Sequence, residues 1–326
     1  MVESANAVKP TKFIHKENTM DKKPTPKDVQ SVVDGLLKGM QSVKPIPIVV
    51  KQPTIPKKGA FDEEEFVLVL SDLQAGHKTK TYNFKVLQER MERLVQAVEK
   101  ITAIHRKAHP VKTLNIFILG DLIQSERIGF LVSLDEMEAE LKVQLFEVAI
   151  PAIMGAIQRF AQVFSTVNVF CVRGNHGGGG KFAATNTNWD DVAYRFLELS
   201  FRDTKHIHFT VADNFYQIIE VNNTKFMLAH GDQIPMYLNI PAYGITQRLM
   251  RWQGSVGDFD VLILGHFHNF VQMDWNDKQF FVNGTFVTDD AWVQQKLGLK
   301  GSCSQILLGV HPRIGVSFVR KIYLVR

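Results

Sequence analysis

Five short runs of aliphatic, β-branched and aromatic residues each stop abruptly on Asp, Asn or His. They are Phe66–Leu70 before Ser71-Asp72, Leu114–Leu119 before Gly120-Asp121, and Val167–Val172 before Arg173-Gly174-Asn175-His176. Lys225–Ala229 stops before His230, and Val261–Leu264 before Gly265-His266-Phe267-His268. A run of this length, bounded by turn-forming residues, reads as a buried strand. Open α/β sheets gather ligands at the carboxyl ends of their strands. Five strands with the same polar ending therefore constrain the chain to a fold in which those ends meet.

The intervals decide the class. A helix is predicted at about 83–107, where Phe84, Leu87, Met91, Leu94, Val98, Ile101 and His105 lie near one stripe. Residues 134–164 read as helical with a break at Pro151. Asn188 is placed to cap a helix over 189–200, and another helix falls near 241–253. In the second half, Asn222-Asn223-Thr224 between two apolar runs signals a hairpin. Further strands are expected at 270–275, 279–283, 304–310 and 315–324, with His311-Pro312-Arg313 as a turn. Strand–helix alternation followed by a run of strands predicts an α/β fold, a four-layer α-β-β-α sandwich of two mixed β-sheets flanked by helices.

Charge divides the chain at about residue 60. Residues 1–60 hold eleven lysines against five acids and seven of the twelve prolines, leaving 61–326 nearly neutral despite the overall +5. The first segment reads as a disordered or extended Lys/Pro-rich tail, either a linker or an arm docking a partner, with one short helix around 27–40. Residues 61–326 form the domain. No apolar run approaches the roughly 18 residues that span a bilayer, so no membrane association is expected. The two cysteines, Cys171 and Cys303, sit in strand-like contexts and read as buried free thiols, which suits a reducing cytoplasm.

Carboxylate, amide and imidazole at the strand ends suit a first-row divalent cation, and the lack of cysteine ligands argues against a structural zinc site. The ordered series Asp72-Leu73-Gln74, Gly120-Asp121, Gly174-Asn175-His176, His230 and Gly265-His266-Phe267-His268 resembles the calcineurin-like metallophosphoesterase superfamily. Its motifs run D-x-H, G-D-x-x-[DE], G-N-H-[DE], H and G-H-x-H. The texture around Gly120-Asp121-Leu122-Ile123 and Arg173–Gly177 is similar to a phage-type, DNA-repair-exonuclease-like branch. The resemblance implies two divalent metal ions, Mn²⁺ first, with Fe, Zn, Ni and Mg as alternatives. Asp72 and His268 would hold one ion, Asn175, His230 and His266 the other, and Asp121 would bridge them. His176 would hydrogen-bond a phosphate oxygen or protonate the leaving group, and Arg173 would contact phosphate. A metal-bound hydroxide would attack phosphorus in line. The implied substrate is nucleic acid or another phosphodiester, the alternatives being a phosphomonoesterase and a non-catalytic binding module. Related nucleases suggest a homodimer.

Three positions depart from the pattern. Gln74 stands where His is usual and would be a weaker ligand, with His77 either replacing it or contacting phosphate. Gln124 replaces the acid of the second motif, and Glu126 either serves nearby or starts a helix. Gly177 follows His176 in place of an acid, so Asp190 or Asp191 becomes the candidate for orienting His176. Gly177–Gly180 suggests a mobile gating loop or a phosphate nest. Trp189, Tyr237, Tyr243 and Trp252 are either base-stacking residues at the cleft rim or packing residues. His105, His109, His206, His208 and His311 read as structural.

Overall fold

A computed structural model describes residues 61–326 apart from 127–135, 179–187, 239, 292–293, 296–297, 299 and 326, together with Ser31 and Gly35. The expectations for the tail and for Gly179 and Gly180 fall outside the described residues.

The apolar runs fold as β1 (Glu65–Leu70), β2 (Thr113–Ile118), β3 (Thr166–Cys171), β4 (Ile207–Val211), β5 (Tyr216–Val221), β6 (Thr224–Ala229) and β7 (Val261–Leu264). The later ones are β8 (Val271–Trp275), β9 (Lys278–Val282), β10 (Ser304–His311) and β11 (Gly315–Tyr323). One sheet has the order β11-β10-β1-β2-β3-β4, with β1 to β4 parallel; the other runs β5-β6-β7-β9-β8. The β5–β6 hairpin turns on Asn222 and Asn223 with φ of 50° and 66°, the left-handed pair that a two-residue type I′ turn needs.

Helices α1 (Phe84–His105), α2 (Ile150–Ala161), α3 (Trp189–Phe201) and α4 (Pro241–Ser255) cover the outer faces. Asn83 caps α1 by accepting from Val86 N–H, and Asn188 caps α3 by accepting from Asp190 N–H. Three apolar layers follow. Phe66, Leu68, Leu94 and Ile153 lie between the first sheet and α1–α3. Val67, Val69, Phe117, Phe226 and Ile263 lie between the sheets, and Met227, Leu262, Leu249 and Trp252 between the second sheet and α4. Strand residues of alternating parity face different layers, as a sheet buried on both faces requires. This is the four-layer α-β-β-α sandwich.

Two expectations need correction. Pro151 does not break its helix. The seven residues Val143–Ala149 are wound as a π-helix that passes into α2, and Ile150 N–H donates to Leu145 C=O, five residues back. Pro151, lacking an N–H, sits at the start of the α-helical part, where a missing donor costs least. The span Val143–Ala161 is also long and apolar enough, by composition, to cross a membrane. Here Leu145, Val148, Ile153, Ile157 and Phe160 bury its apolar face in the core.

Candidate metal centre

Each strand end that stops on a polar residue arrives at one place. In the first sheet, parallel neighbours β1, β2 and β3 deliver Asp72, Asp121 and Asn175-His176. In the second, β6 and β7 deliver His230 and His266-Phe267-His268. Backbone bonds lock adjacent ends together. Asp72 N–H donates to Gly120 C=O (3.2 Å), Gln74 N–H to Asp121 C=O (2.9 Å), and Gly265 N–H to His230 C=O (2.9 Å).

The backbone bends sharply at the cluster. Asp72, Gln74, Asp121, His266 and His268 all adopt left-handed φ between 46° and 67°. Such conformations cost a non-glycine residue about 1–3 kcal/mol each and persist where the surroundings demand them.

Contacts across the two sheets bind the cluster. His266 N–H donates to the Asp72 carboxylate (3.1 and 3.3 Å), and His268 Nε2 lies 3.3 Å from Asp72 Oδ1. His230 Nδ1 faces Leu119 C=O at 2.6 Å, which places a proton on Nδ1 and leaves Nε2 as the nitrogen for a cation. That Nε2 is 3.0 Å from Asn175 Oδ1 and 3.1 Å from Asp121 Oδ2. Asp121, His230 and His266 bring one ligand atom each within 4.8 Å of one another. His176 N–H donates to Asp121 Oδ1 (2.8 Å), and its Nδ1 faces Gln124 C=O (3.2 Å). Its Nε2 lies 3.7 Å from Asp121 Oδ2 and 3.5 Å from Gln74 Nε2.

Burial sets the charge. Asp72 and Asp121 are buried, at 0% and 1% exposure. Burial pushes the Asp121 carboxyl up, but His230 and His176 more than offset it and hold the group ionised well below the carboxylate range. Burial pushes His230 down, yet the charge and hydrogen bond of Asp121 together with the Asp72 and Asp232 charges lift it to about 10, so the ring holds a proton on Nε2 that a cation would displace. His266 is lowered to about 3, chiefly by burial and next by His230. Asp121 Oδ2 and Gln74 Oε1 are buried without an aligned hydrogen-bond donor. Two buried carboxylates, acceptor oxygens without donors and an imidazole held in the ligating orientation fit a pair of divalent cations.

The remaining candidates separate. Gln74 reaches the cluster, its Nε2 3.2 Å from His268 Nε2. His77 is buried, with Nδ1 unpartnered and its pKa lowered to about 4 by burial. Glu126 accepts from Leu141 N–H (2.7 Å), two residues before the π-helix, and so acts at a helix start. Arg173 is directed elsewhere, donating to Asp191 Oδ2 (3.3 Å) and Asp213 C=O (2.9 Å). Asp190 does not face the His176 ring. Its carboxylate accepts the N–H groups of Asp121, Leu122 and Gly174 and so pins the β2 and β3 ends together. Burial and the Asp121 charge push its pKa up to about 7. Trp189 and Trp252 pack in the core layers, whereas Tyr237 and Tyr243 are exposed.

Sequence reasoning missed the support behind Asp72. Ser71 Oγ donates to Asp72 Oδ2 (2.6 Å), Asn283 Nδ2 donates to Ser71 Oγ (2.9 Å), and Gln305 Oε1 accepts from both Asn283 Nδ2 and Ser71 N–H. The signal was present, since Asn283 also ends an apolar strand and Gln305 interrupts one.

The sequence profile of the calcineurin-like phosphoesterases matches residues 67–270. Among curated proteins, none matches this chain. Among solved structures, an archaeal phosphodiesterase is 14% identical with a TM-score of 0.37, covering 79% of this chain and 98% of its own. A zinc-complexed Vps29 from Entamoeba histolytica is 14% identical with a TM-score of 0.37, covering 80% and 99%. A protein of Pyrococcus horikoshii is 11% identical with a TM-score of 0.40, covering 79% and 87%. The profile match takes in every residue of the cluster and well over half the chain, and on it this chain belongs to the calcineurin-like phosphoesterase family.

Proposed function

We propose that this chain, a metal-dependent phosphoesterase by family, hydrolyses phosphodiesters, with nucleic acid as substrate and Mn²⁺ as the working metal. The observation that carries the reading is the space beside the cluster. His77, whose N–H donates to Gln74 C=O (2.9 Å), opens onto a cavity of about 700 Å³ lined by Lys78, Thr79, Lys80, Glu136 and Asp289. A diester carries a substituent on each side of phosphorus, and a cavity of this size accommodates a nucleoside-sized group. Lys78 and Lys80 supply cations for a neighbouring phosphate.

When bound, two divalent cations supply a water nucleophile at neutral pH and neutralise charge on the phosphate. Asp72 and His268 would hold one and Asn175, His230 and His266 the other, with Asp121 between them. His176, anchored through Nδ1 to Gln124 C=O, directs Nε2 to the site, where it donates to a phosphate oxygen or a departing alkoxide.

Purified protein with Mn²⁺ is offered bis-p-nitrophenyl phosphate, p-nitrophenyl phosphate, and labelled single- and double-stranded DNA. Cleavage of the diester and of at least one DNA is expected. Robust monoester hydrolysis with no diester cleaved would overturn the proposal in favour of a phosphomonoesterase. No hydrolysis of any substrate by fully metal-loaded protein would favour a binding module.

A further inference from the structure

At the opposite end of the first sheet stands a second group of nitrogen and oxygen donors. Glu64 directly precedes β1, and its N–H is fixed to Pro110 C=O (3.0 Å). His105 closes α1, and His109 N–H donates to His105 C=O (3.0 Å), so one more helical turn continues past the helix. The i, i+4 spacing puts both imidazoles on one face, their rings 5.1 Å apart and 20° from parallel. The Glu64 carboxylate, 3% exposed, addresses both rings. Oε2 is 2.5 Å from His105 Nε2, and Oε1 is 4.0 Å from His109 Nδ1. All three residues offer ligand atoms within 4.8 Å of one another.

We propose that Glu64, His105 and His109 form a further divalent-cation site, best matched to Zn²⁺, which clamps the start of β1 to the end of α1. Glu64 and Asp72 are eight residue steps apart along strand and turn, about 26 Å at ~3.3 Å per step, so the site is distinct from the cluster above. Two imidazoles and one carboxylate are the donor set of three-ligand zinc sites, which leave a fourth position for water. Zinc–nitrogen bonds of ~2.0–2.1 Å at tetrahedral angles place ligand atoms ~3.4 Å apart. The 2.5 Å pair therefore opens and the 4.0 Å pair closes, each by less than about 1 Å, through side-chain rotation.

The surroundings suit the site. Phe61 stacks on His109 at 5.0 Å, and Phe66 meets His105 edge-on at 5.2 Å, so an aromatic ring flanks each imidazole and fixes its plane. Binding gives up the 3.1 Å contact of His109 Nδ1 with Asp62 C=O. The Asp62 carboxylate is engaged by His311 Nε2 (3.3 Å) and by Arg313, so it borders the site without supplying a ligand.

The test uses the full chain carrying Asp121→Asn and His266→Asn, which disable the first cluster, titrated with Co²⁺ after chelator treatment. One Co²⁺ per chain with the visible absorption of a four-coordinate ion is expected, displaced by Zn²⁺. Adding His105→Asn and His109→Asn should abolish that absorption, and Glu64→Gln, which keeps shape and folding, should weaken binding at least tenfold. Zn²⁺ should raise the melting temperature of the parent and leave the double-histidine variant unmoved. Absence of saturable Co²⁺ binding in the parent, or equal binding in all variants, would overturn the site. A metal-independent loss of stability alone, with no cobalt band, would reduce the group to an ion pair and overturn it too.

Discussion

His230 Nε2 and Asp121 Oδ2 lie 3.1 Å apart, both side chains wholly buried, with the imidazole steered by Leu119 C=O and the carboxylate by His176 N–H. Each group is held by a neighbour on its far side, so the atoms that meet are the two that would turn to a cation once the Nε2 proton leaves. Asp121→Asn keeps the shape and removes the charge. We expect it to lose metal and activity together, by well over the ~10–100-fold that follows from losing a ligand's outer partner. Unfolding in chelator should also become easier, because the buried His230 loses the carboxylate that raises its pKa. Elemental analysis beside diester turnover checks this, and a variant with full metal and no activity would contradict a bridging role.

His176→Ala separates binding from chemistry. The ring is fixed through Nδ1 to Gln124 C=O, but the backbone N–H that Asp121 needs survives the substitution. Metal content should stay near wild type while kcat falls by about 10²–10⁴, the usual weight of a positioned acid or donor. An unchanged kcat would remove His176 from the reaction.

Gly174 lies against the turn at Gly120-Asp121, where an added Cβ would occupy the Asp121 carboxylate and its N–H. Gly174→Ala should destabilise the chain by about 1–3 kcal/mol, an overpacking cost, and lower metal affinity at the same time. Denaturant midpoints and metal titration report the two effects, and retained affinity would mean that Asp121 tolerates displacement.

Much of this was legible in the chain because a strand has only two ends and a strong apolar run marks both. Asp72, Asp121, Asn175, His230 and His266 follow their strands within one to four residues, so locating β1, β2, β3, β6 and β7 located them. What lay between elements was not legible. Asp190 sits in the first turn of α3, a usual place for an acid beside a helix N-terminus. That its carboxylate gathers three N–H groups from the ends of β2 and β3 depends on how α3 packs. Glu64, His105 and His109 come from a strand start and a helix end about 40 residues apart, and each alone reads as ordinary. Arg173 misled for the opposite reason: adjacency to Gly174-Asn175-His176 says nothing about direction, and Asp191 and Asp213 claim its guanidinium.

Glu64 carries a pH dependence. Burial raises its pKa, but hydrogen bonds from His105 and Ser317 and the charges of His105 and His109 together outweigh it, so the folded value lies below 4.5. The native state therefore binds fewer protons than the unfolded chain just below pH 4.5. Its contribution to stability is complete above that value and is lost as pH falls through the folded pKa. Glu64→Gln should be less stable than wild type at pH 7, with the gap closing on acidification. Urea midpoints from pH 7 to 3, measured in chelator, show it; a constant gap would mean that packing, rather than charge, is what the carboxylate supplies.

Gln74 offers the sharpest test of how the metal site tolerates its departure from the family pattern. Its backbone is left-handed (φ 46°), its Oε1 is buried without a donor, and its Nε2 lies 3.2 Å from His268 Nε2. An amide oxygen is a weaker ligand than imidazole for first-row cations. The amide N–H, where it stands, also competes for the His268 lone pair. His is admissible at this backbone geometry, since His266 and His268 hold φ of 67° and 56° nearby. Gln74→His should therefore tighten the ion shared with Asp72 and His268 by roughly tenfold, on the scale of a single ligand-sphere change, and lower the Mn²⁺ concentration that half-activates turnover. Gln74→Ala should raise that concentration without touching the His230 side. Calorimetric titration of the chelator-treated chain resolves the two ions. If the weaker of them binds the same in Gln74→His, Gln74→Ala and wild type, the amide plays no part in holding metal.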